Sequence, residues 1–435
     1  MKTLFSDVTL LFEDGSSAEN QYLVCKDKYI DYIGDKRPEN VEYDRIIDCR
    51  GKMLMPGMYN THAHVAMNAF RGFAEDLPLQ NWLFDKIFPA EDLLTQDRVY
   101  NASMLAIAEQ LKHGIVSFSD MYFFSGDTIK AVIESGIKAN ISRGISCFEP
   151  HMTPEKDYRF CESKELCKKY HGSHDGRIKI DMGLHAEYTL IPEVCEYVSD
   201  YAKTEGLGIQ LHLSETFSEH EECIKKYGKT PTRFFSDLGA FDVPATAAHC
   251  VAVDDDDIAL LSQKHVNISH NPTSNLKLGS GIADIVKLDR AGLNISLGTD
   301  GAASNNTLDI RKEGMLASLL QKGIYKDPAI MPAEKIVSMI TRNGASAQGR
   351  ADCGRLSVGA KADLCLIDID TENSTPMFSP ASALLYTVDS SDVAMTVVDG
   401  NILYENGSFT TIDIEKIKAA ANEDAEKLMT QIKQN

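Results

Sequence analysis

Eight short apolar segments recur between residues 58 and 301, and a stretch with helical spacing separates most of them from the next. They read MYNTHAH, GIVSFSDM, KANISRGIS, IKIDMGLHA, GIQLHLSE, ATAAHC, VNISHN and NISLGTDG. Helix-like stretches such as RVYNASMLAIAEQLKHG, GDTIKAVIESG and PEVCEYVSDYAKTEG lie between them. Strands that alternate with helices in this way pair in parallel, because a parallel neighbour requires a long crossover. Eight units over roughly 300 residues predict an α/β fold built on a (β/α)8 barrel of the TIM type, which keeps its chemistry at the C-terminal strand ends.

The flanks have a different texture. SDVTLLFEDG, AENQYLVCKDKYIDYIG and RIIDCRGKMLMPG near the start, and GRLSVGAKADLCLIDID and VAMTVVDGNILYENGS near the end, read as short strands. Asp-Gly and Asn-Gly pairs mark hairpin turns there. The expected organisation is residues 1–55 and 351–435 contributing to one small β-sandwich, with the barrel over residues 56–350. The segment IEKIKAAANEDAEKLMTQIKQN reads as a terminal helix.

Composition narrows the function. The 43% hydrophobic and 25% charged residues suit a globular enzyme rather than a disordered chain. With 44 basic against 64 acidic residues the net charge is -20, which repels phosphate backbones and argues against nucleic acid as a partner. A single nucleoside in a pocket is still allowed. Ten cysteines without a CxxC pair read as reduced thiols of a cytoplasmic protein. No apolar run reaches a membrane-spanning length of about 18 residues. The number of subunits is not encoded in any recognisable motif, and a homo-oligomer is compatible with the chain.

The strand ends hold the chemistry. Positions two apart on a strand point the same way, so His62 and His64 project together. Alone, such a pair is as readily two loop histidines as two metal ligands. Its company shifts the balance: His212 ends GIQLHL and Asp300 ends NISLGTD. Three imidazoles and a carboxylate suit Zn²⁺, with Fe, Co, Ni or Mn as alternatives. Such an ion lowers the pKa of a water towards about 7, which implies hydrolysis. Glu215 is either a solvated carboxylate or a proton shuttle with a raised pKa. His249 is placed to polarise that water or stabilise developing charge, and Asp300 to accept its proton as well as bind the ion. No phosphate-binding glycine loop follows a strand. Asp254 to Asp257 read as a helix start, and His113 as a helix C-cap. Asn271 and Asn275, in SHNPTSN, are read as substrate contacts or as an ordinary Asn-Pro turn.

NTHAHV, HLSET, AAHC and LGTDGAASNN, in that order, resemble the amidohydrolase superfamily over most of the chain. The resemblance implies the HxH on the first strand, single histidines on the fifth and sixth, and the aspartate on the eighth. Binuclear members carry a lysine at the fourth strand end; here that segment ends in His185, and Lys179 lies upstream. The departure implies one metal. AFRGFAEDLPLQNWLFDKIFPAED resembles the corresponding loop of S-adenosylhomocysteine/5'-methylthioadenosine deaminases. That likeness implies Glu91 on the ribose hydroxyls, Arg143 on a homocysteine carboxylate, and His185 on a purine ring nitrogen. Arg159 is the candidate for a second arginine. Outside the resemblance, Arg143 reads equally as half of a structural salt bridge, and Trp82 as a pocket wall or a packing anchor.

The reading is therefore hydrolytic deamination of a 5'-modified adenosine to its inosine derivative. His62, His64, His212 and Asp300 hold the metal, and Glu215, His249 and Asp300 do the proton work. Glu91, Arg143, His185 and Glu215 meet the substrate. Guanine or cytosine deamination and triazine hydrolysis are the rivals within the same site. A non-catalytic barrel scaffold is the rival from another class.

Overall fold

The computed structural model describes residues 1–434. Seven strands pair in parallel and in chain order: Met58–His64, Ile115–Tyr122, Lys138–Ile145, Ile178–Leu184, Ile209–Leu213, Ala245–His249 and Asn267–His270. The eighth position is split. Ile295–Leu297 pairs with Asn267–His270, and Asp300–Gly301 pairs with Met58–His64, which closes the ring. Crowding accounts for the break. A Cβ at Gly298 would meet Asn271 Oδ1 at 2.3 Å and His62 Cβ at 2.8 Å. In place of ladder bonding, the Thr299 amide donates to the Asn60 side chain at 3.0 Å.

Burial follows from the topology. Every residue of Ile115–Tyr122 and Lys138–Ile145 is buried, as expected of strands covered by helices outside and packed side chains inside. The inter-strand helices begin and end where local chemistry permits. Thr95 caps Gln96–Lys112 by accepting from the Arg98 amide. Asp254 accepts from the Asp257 amide at 2.8 Å, so the run of four aspartates is the N-terminus of helix Asp255–Gln263, as expected.

Both flanks form one mixed sheet. Lys2–Leu11, Ser17–Lys26, Tyr29–Gly34, Arg45–Asp48 and Lys52–Pro56 join Leu364–Asp368, Val393–Val398, Asn401–Glu405 and Ser408–Phe409. Lys52–Pro56 is the seam, parallel to Lys2–Leu11 and antiparallel to Leu364–Asp368. Hydrogen bonding runs unbroken through all nine strands, around a core that includes Phe5, Val8, Leu54, Leu366 and Val397.

The terminal helix, Ile414–Ile432, packs on Gln96–Lys112 and on the segment Val65–Phe70 that follows the first barrel strand. Leu428 joins the apolar cluster of Phe70, Trp82 and Leu83. Arg98 ties the two regions together, donating to the Leu93 carbonyl at 2.6 Å and to Gln431 at 2.8 Å. No described helix is long and apolar enough to cross a membrane.

Barrel and sheet are clamped by a buried charge. The Lys138 ammonium, on the third barrel strand, lies 2.5 Å from Asp363 and 2.8 Å from Asp399. Asp363 also accepts from the Tyr59 hydroxyl at 3.2 Å. Burial favours neutral lysine, but the charge of Asp363 overrides it and keeps the Lys138 pKa raised. Replacing the lysine leaves buried Asp363 without its cation and Asp399 with only Lys361, at 3.6 Å. Lys138→Met is expected to cost about 3–5 kcal/mol, measured by urea unfolding.

Candidate active site

The C-terminal ends of the barrel strands converge on a cavity lined by His64, Glu91, His185, His212, Glu215 and Asp300. The His62 ring centroid lies 4.9 Å from that of His64, 4.8 Å from His212 and 5.4 Å from His249. Asp300 Oδ1 approaches His64 Nε2 at 3.1 Å and His62 Nε2 at 3.5 Å. Four histidines and one aspartate from four different strand ends thus lie together. Ser214, His249 and Asp300 hold left-handed backbone, with φ of 45°, 73° and 60°. Non-glycine residues adopt it at a cost of order 1–3 kcal/mol, so the surrounding packing enforces these angles.

Neighbouring groups decide which ring nitrogens face inward. His64 Nδ1 lies 2.5 Å from the Met121 carbonyl, and His212 Nδ1 lies 2.6 Å from the His185 carbonyl. A carbonyl only accepts, so each Nδ1 carries the proton and each neutral ring turns a lone pair on Nε2 to the centre. Those two Nε2 atoms are 3.3 Å apart. His62 Nε2 is buried and without a hydrogen-bond partner. Lone pairs converging in a buried pocket repel one another unless a cation lies between them. Donor set and geometry therefore fit a divalent metal: the inward atoms of His62, His64 and Asp300 lie within 4.8 Å of one another. Burial opposes charge on His64, while the hydrogen bond and negative charge of Asp300 favour it.

Asp300 is itself held. Ser274 and Ser304 donate to its Oδ2 at 2.6 and 2.9 Å, leaving Oδ1 for the centre. His249 Nδ1 lies 2.7 Å from Asn275 Oδ1, which turns Nε2 towards Glu215 Oε2 at 3.7 Å. Glu215 is buried, and desolvation raises its pKa well above the carboxylate range, with the charges of Asp300 and Glu219 adding to the shift. The Glu219 carboxylate accepts from the Glu215 amide at 2.8 Å and fixes this turn.

The remaining candidates line the same space. His185 closes the fourth strand position beside His212, with ring centroids 4.8 Å apart. Lys179 instead donates to the Gly349 carbonyl at 2.6 Å, near the start of that strand. Glu91 reaches the cavity from the loop after the first strand and accepts from the Tyr122 hydroxyl at 2.6 Å. Burial raises the Glu91 pKa to about 7. Trp82 both walls the cavity and anchors the loop cluster. Arg143 stands outside this cavity: its Nε is 3.1 Å from Glu162, and its Nη1 donates to the Gly144 carbonyl. Arg159 pairs with Asp157 at 2.9 Å, in the same outer region.

Sequence reasoning did not identify Ser274, Ser304 or Tyr122, and left Asn275 between substrate contact and turn. Only Ser304 had a local signal, since it lies four residues after Asp300 at the start of a helix. The others reach the site through tertiary packing.

Fold and site together define a barrel hydrolase with a His/Asp centre. Residues 53–403 match the Amidohydrolase family. The chain belongs to that family. It is 43% identical over 430 residues to 5-methylthioadenosine/S-adenosylhomocysteine deaminase of Dictyoglomus thermophilum, covering 99% of both chains. It is 41% identical to 5'-deoxyadenosine deaminase of Methanosarcina acetivorans, covering 96% of this chain and 95% of that one. An adenosine deaminase from Xanthomonas campestris, solved with bound zinc, superposes with a TM-score of 0.93 at 28% identity, covering 98% of each chain.

The hydroxyls behind Asp300 generate a test. Ser274→Ala is expected to weaken metal retention about 10- to 100-fold, read as metal content during titration with a competing chelator.

Proposed function

We propose that this chain deaminates adenosines modified at the 5' position, such as S-adenosylhomocysteine, 5'-methylthioadenosine and 5'-deoxyadenosine, releasing ammonia and the inosine derivative. One observation carries the reading: a buried carboxyl, Glu215, whose Oε2 lies 3.7 Å from His249 Nε2, beside inward-facing imidazole nitrogens in a cavity that also holds Glu91. The named activities of the two relatives support the choice of substrate.

His62, His64, His212 and Asp300 would hold one divalent ion, zinc by preference since the Xanthomonas campestris deaminase contains it. That ion supplies Lewis acidity, which lowers the pKa of a water towards about 7. The other steps belong to side chains. Glu215 gives its proton to purine N1, which makes C6 electrophilic. Water oxygen then bonds to C6, the C6–N bond breaks, and the amino group leaves as ammonia. Asp300 and His249 accept and return the water proton. His185, kept neutral because burial lowers its pKa to about 3, is suited to a hydrogen bond with the purine ring. Glu91 accepts from the ribose hydroxyls, while Tyr122 holds its other oxygen.

Ten free thiols, eight of them buried, support a reducing, cytoplasmic compartment. A small nucleoside is the proposed partner.

An ammonia-release screen tests the reaction against S-adenosylhomocysteine, methylthioadenosine, 5'-deoxyadenosine, adenosine, guanine and cytosine. The 5'-modified adenosines are expected to lead; silence on all of them defeats the proposal. Glu215→Gln is expected to lower kcat by about 10²- to 10⁴-fold. Glu91→Ala separates nucleoside from free-base chemistry. Steady-state kinetics should show a steep rise in KM for the nucleosides, and an equal loss on guanine would remove the ribose role.

A further inference from the structure

Two buried acids that take no part in the deamination steps meet beside the Glu215 turn. Glu187 and Glu219 are 2% and 3% exposed. Glu219 lies in helix Phe217–Tyr227, which follows the fifth barrel strand, and Glu187 in the short segment Glu187–Thr189 after the fourth. Their side chains are hydrogen-bonded to each other. Glu187 Oε2 and Glu219 Oε1 are buried, and no N–H or O–H group of the described residues reaches either atom.

Ionised carboxylates offer only acceptors. Their contact is attractive with one proton between them and repulsive with none. Burial favours the neutral form of both acids, and the charge of Glu219 raises the Glu187 pKa further. Glu219 is the member already committed as an acceptor: its Oε2 takes the Glu215 amide at 2.8 Å and the Thr216 amide at 3.3 Å. The proton therefore belongs on Glu187, which donates it to Glu219 Oε1.

The pair joins two segments that matter to the reaction. On one side is His185, two residues before Glu187, with its Nδ1 set 3.0 Å from Thr189 Oγ1. On the other is the Glu215 turn. The carbonyl of left-handed Ser214 accepts from the Val251 and Ala252 amides at 3.0 and 2.9 Å, and the Glu215 amide is held by Glu219. Glu187 thus bridges the two segments that carry the purine contacts. Without its proton, Glu219 would face a second buried charge, and the turn would lose its tie to the fourth-strand segment.

We propose, on the deamination reading, that Glu187 is a positioning residue: the proton it shares with Glu219 locks the Glu215 turn to the His185 segment and so sets Glu215 at purine N1.

Two substitutions separate the shared proton from packing. Glu187→Gln keeps an N–H donor for Glu219, whereas Glu187→Met keeps the length and removes the donor. With 5'-deoxyadenosine and the metal-loaded enzyme, Glu187→Gln is expected to hold kcat within about threefold of the wild type, and Glu187→Met to lower it about 10- to 100-fold with KM moved less than about threefold. Infrared difference spectra at neutral pH read the proton itself: a protonated-carboxyl C=O band should be present in the wild type and absent from Glu187→Gln. A wild type without that band overturns the proposal. So do equal losses of kcat in the two variants, an unchanged kcat in Glu187→Met, or a loss confined to KM. If Glu187→Met does not fold, the other arm still decides, since a tenfold loss in Glu187→Gln or a missing band is fatal. Failure of the deamination reading appears instead as a wild type silent in the ammonia screen, where the infrared band still reports on the proton.

Discussion

Two imidazole nitrogens, His64 Nε2 and His212 Nε2, face each other across 3.3 Å. This unfavourable contact is the constraint on which the rest of the molecule bears. Left free, the rings would rotate apart or bond to water. They are prevented by the Met121 and His185 carbonyls, which are main-chain atoms at neighbouring strand ends. The position of those carbonyls depends in turn on strand register, and so on the whole ring of parallel pairing. Below the centre, Thr61 lies within hydrogen-bond distance of Ser269 and Ser296, and Asn60 bonds Thr299, tying strands one, seven and eight across the barrel interior. Rigidity of this kind holds a ligand set open for a cation.

Barrel and centre were legible in the sequence for different reasons. The barrel was legible because strand–helix alternation is a local pattern repeated many times. His62 and His64 were legible because a period of two is intrinsic to a strand, and His212 and Asp300 because each ends an apolar run. Sequence could not show how each ligand is oriented. Ser274 and Asn275 belong to a short helix after the seventh strand, Pro272–Lys277, and reach Asp300 and His249 only when adjacent strands pair. Tyr122 lies one residue beyond the segment GIVSFSDM, and its hydroxyl holds Glu91 from another segment. The left-handed backbone at Asp300 has no sequence mark, because aspartate is not a residue that announces such an angle as glycine does.

Arg143 shows how a residue can be located from sequence while its state is not. Its place at the end of the third strand, facing the substrate side, follows from alternation. Its partner, Glu162, lies in helix Tyr158–Tyr170, beyond a loop whose path no periodicity describes. The two readings held open for the arginine, ligand contact and salt bridge, are compatible once the bond donors are assigned individually. Nε and Nη1 serve the fold, and the residue lines an outer cavity.

Helix Ile414–Ile432 braces the loop that carries Trp82 and Glu91, through Leu428 and through the link from Arg98 to Gln431. The brace has a consequence for the order of biogenesis. A ribosome delivers the eight barrel strands well before it delivers this helix, and the seam strand Lys52–Pro56 must wait for Leu364–Asp368. The wall of the cavity therefore depends on a segment that follows every barrel strand in the chain.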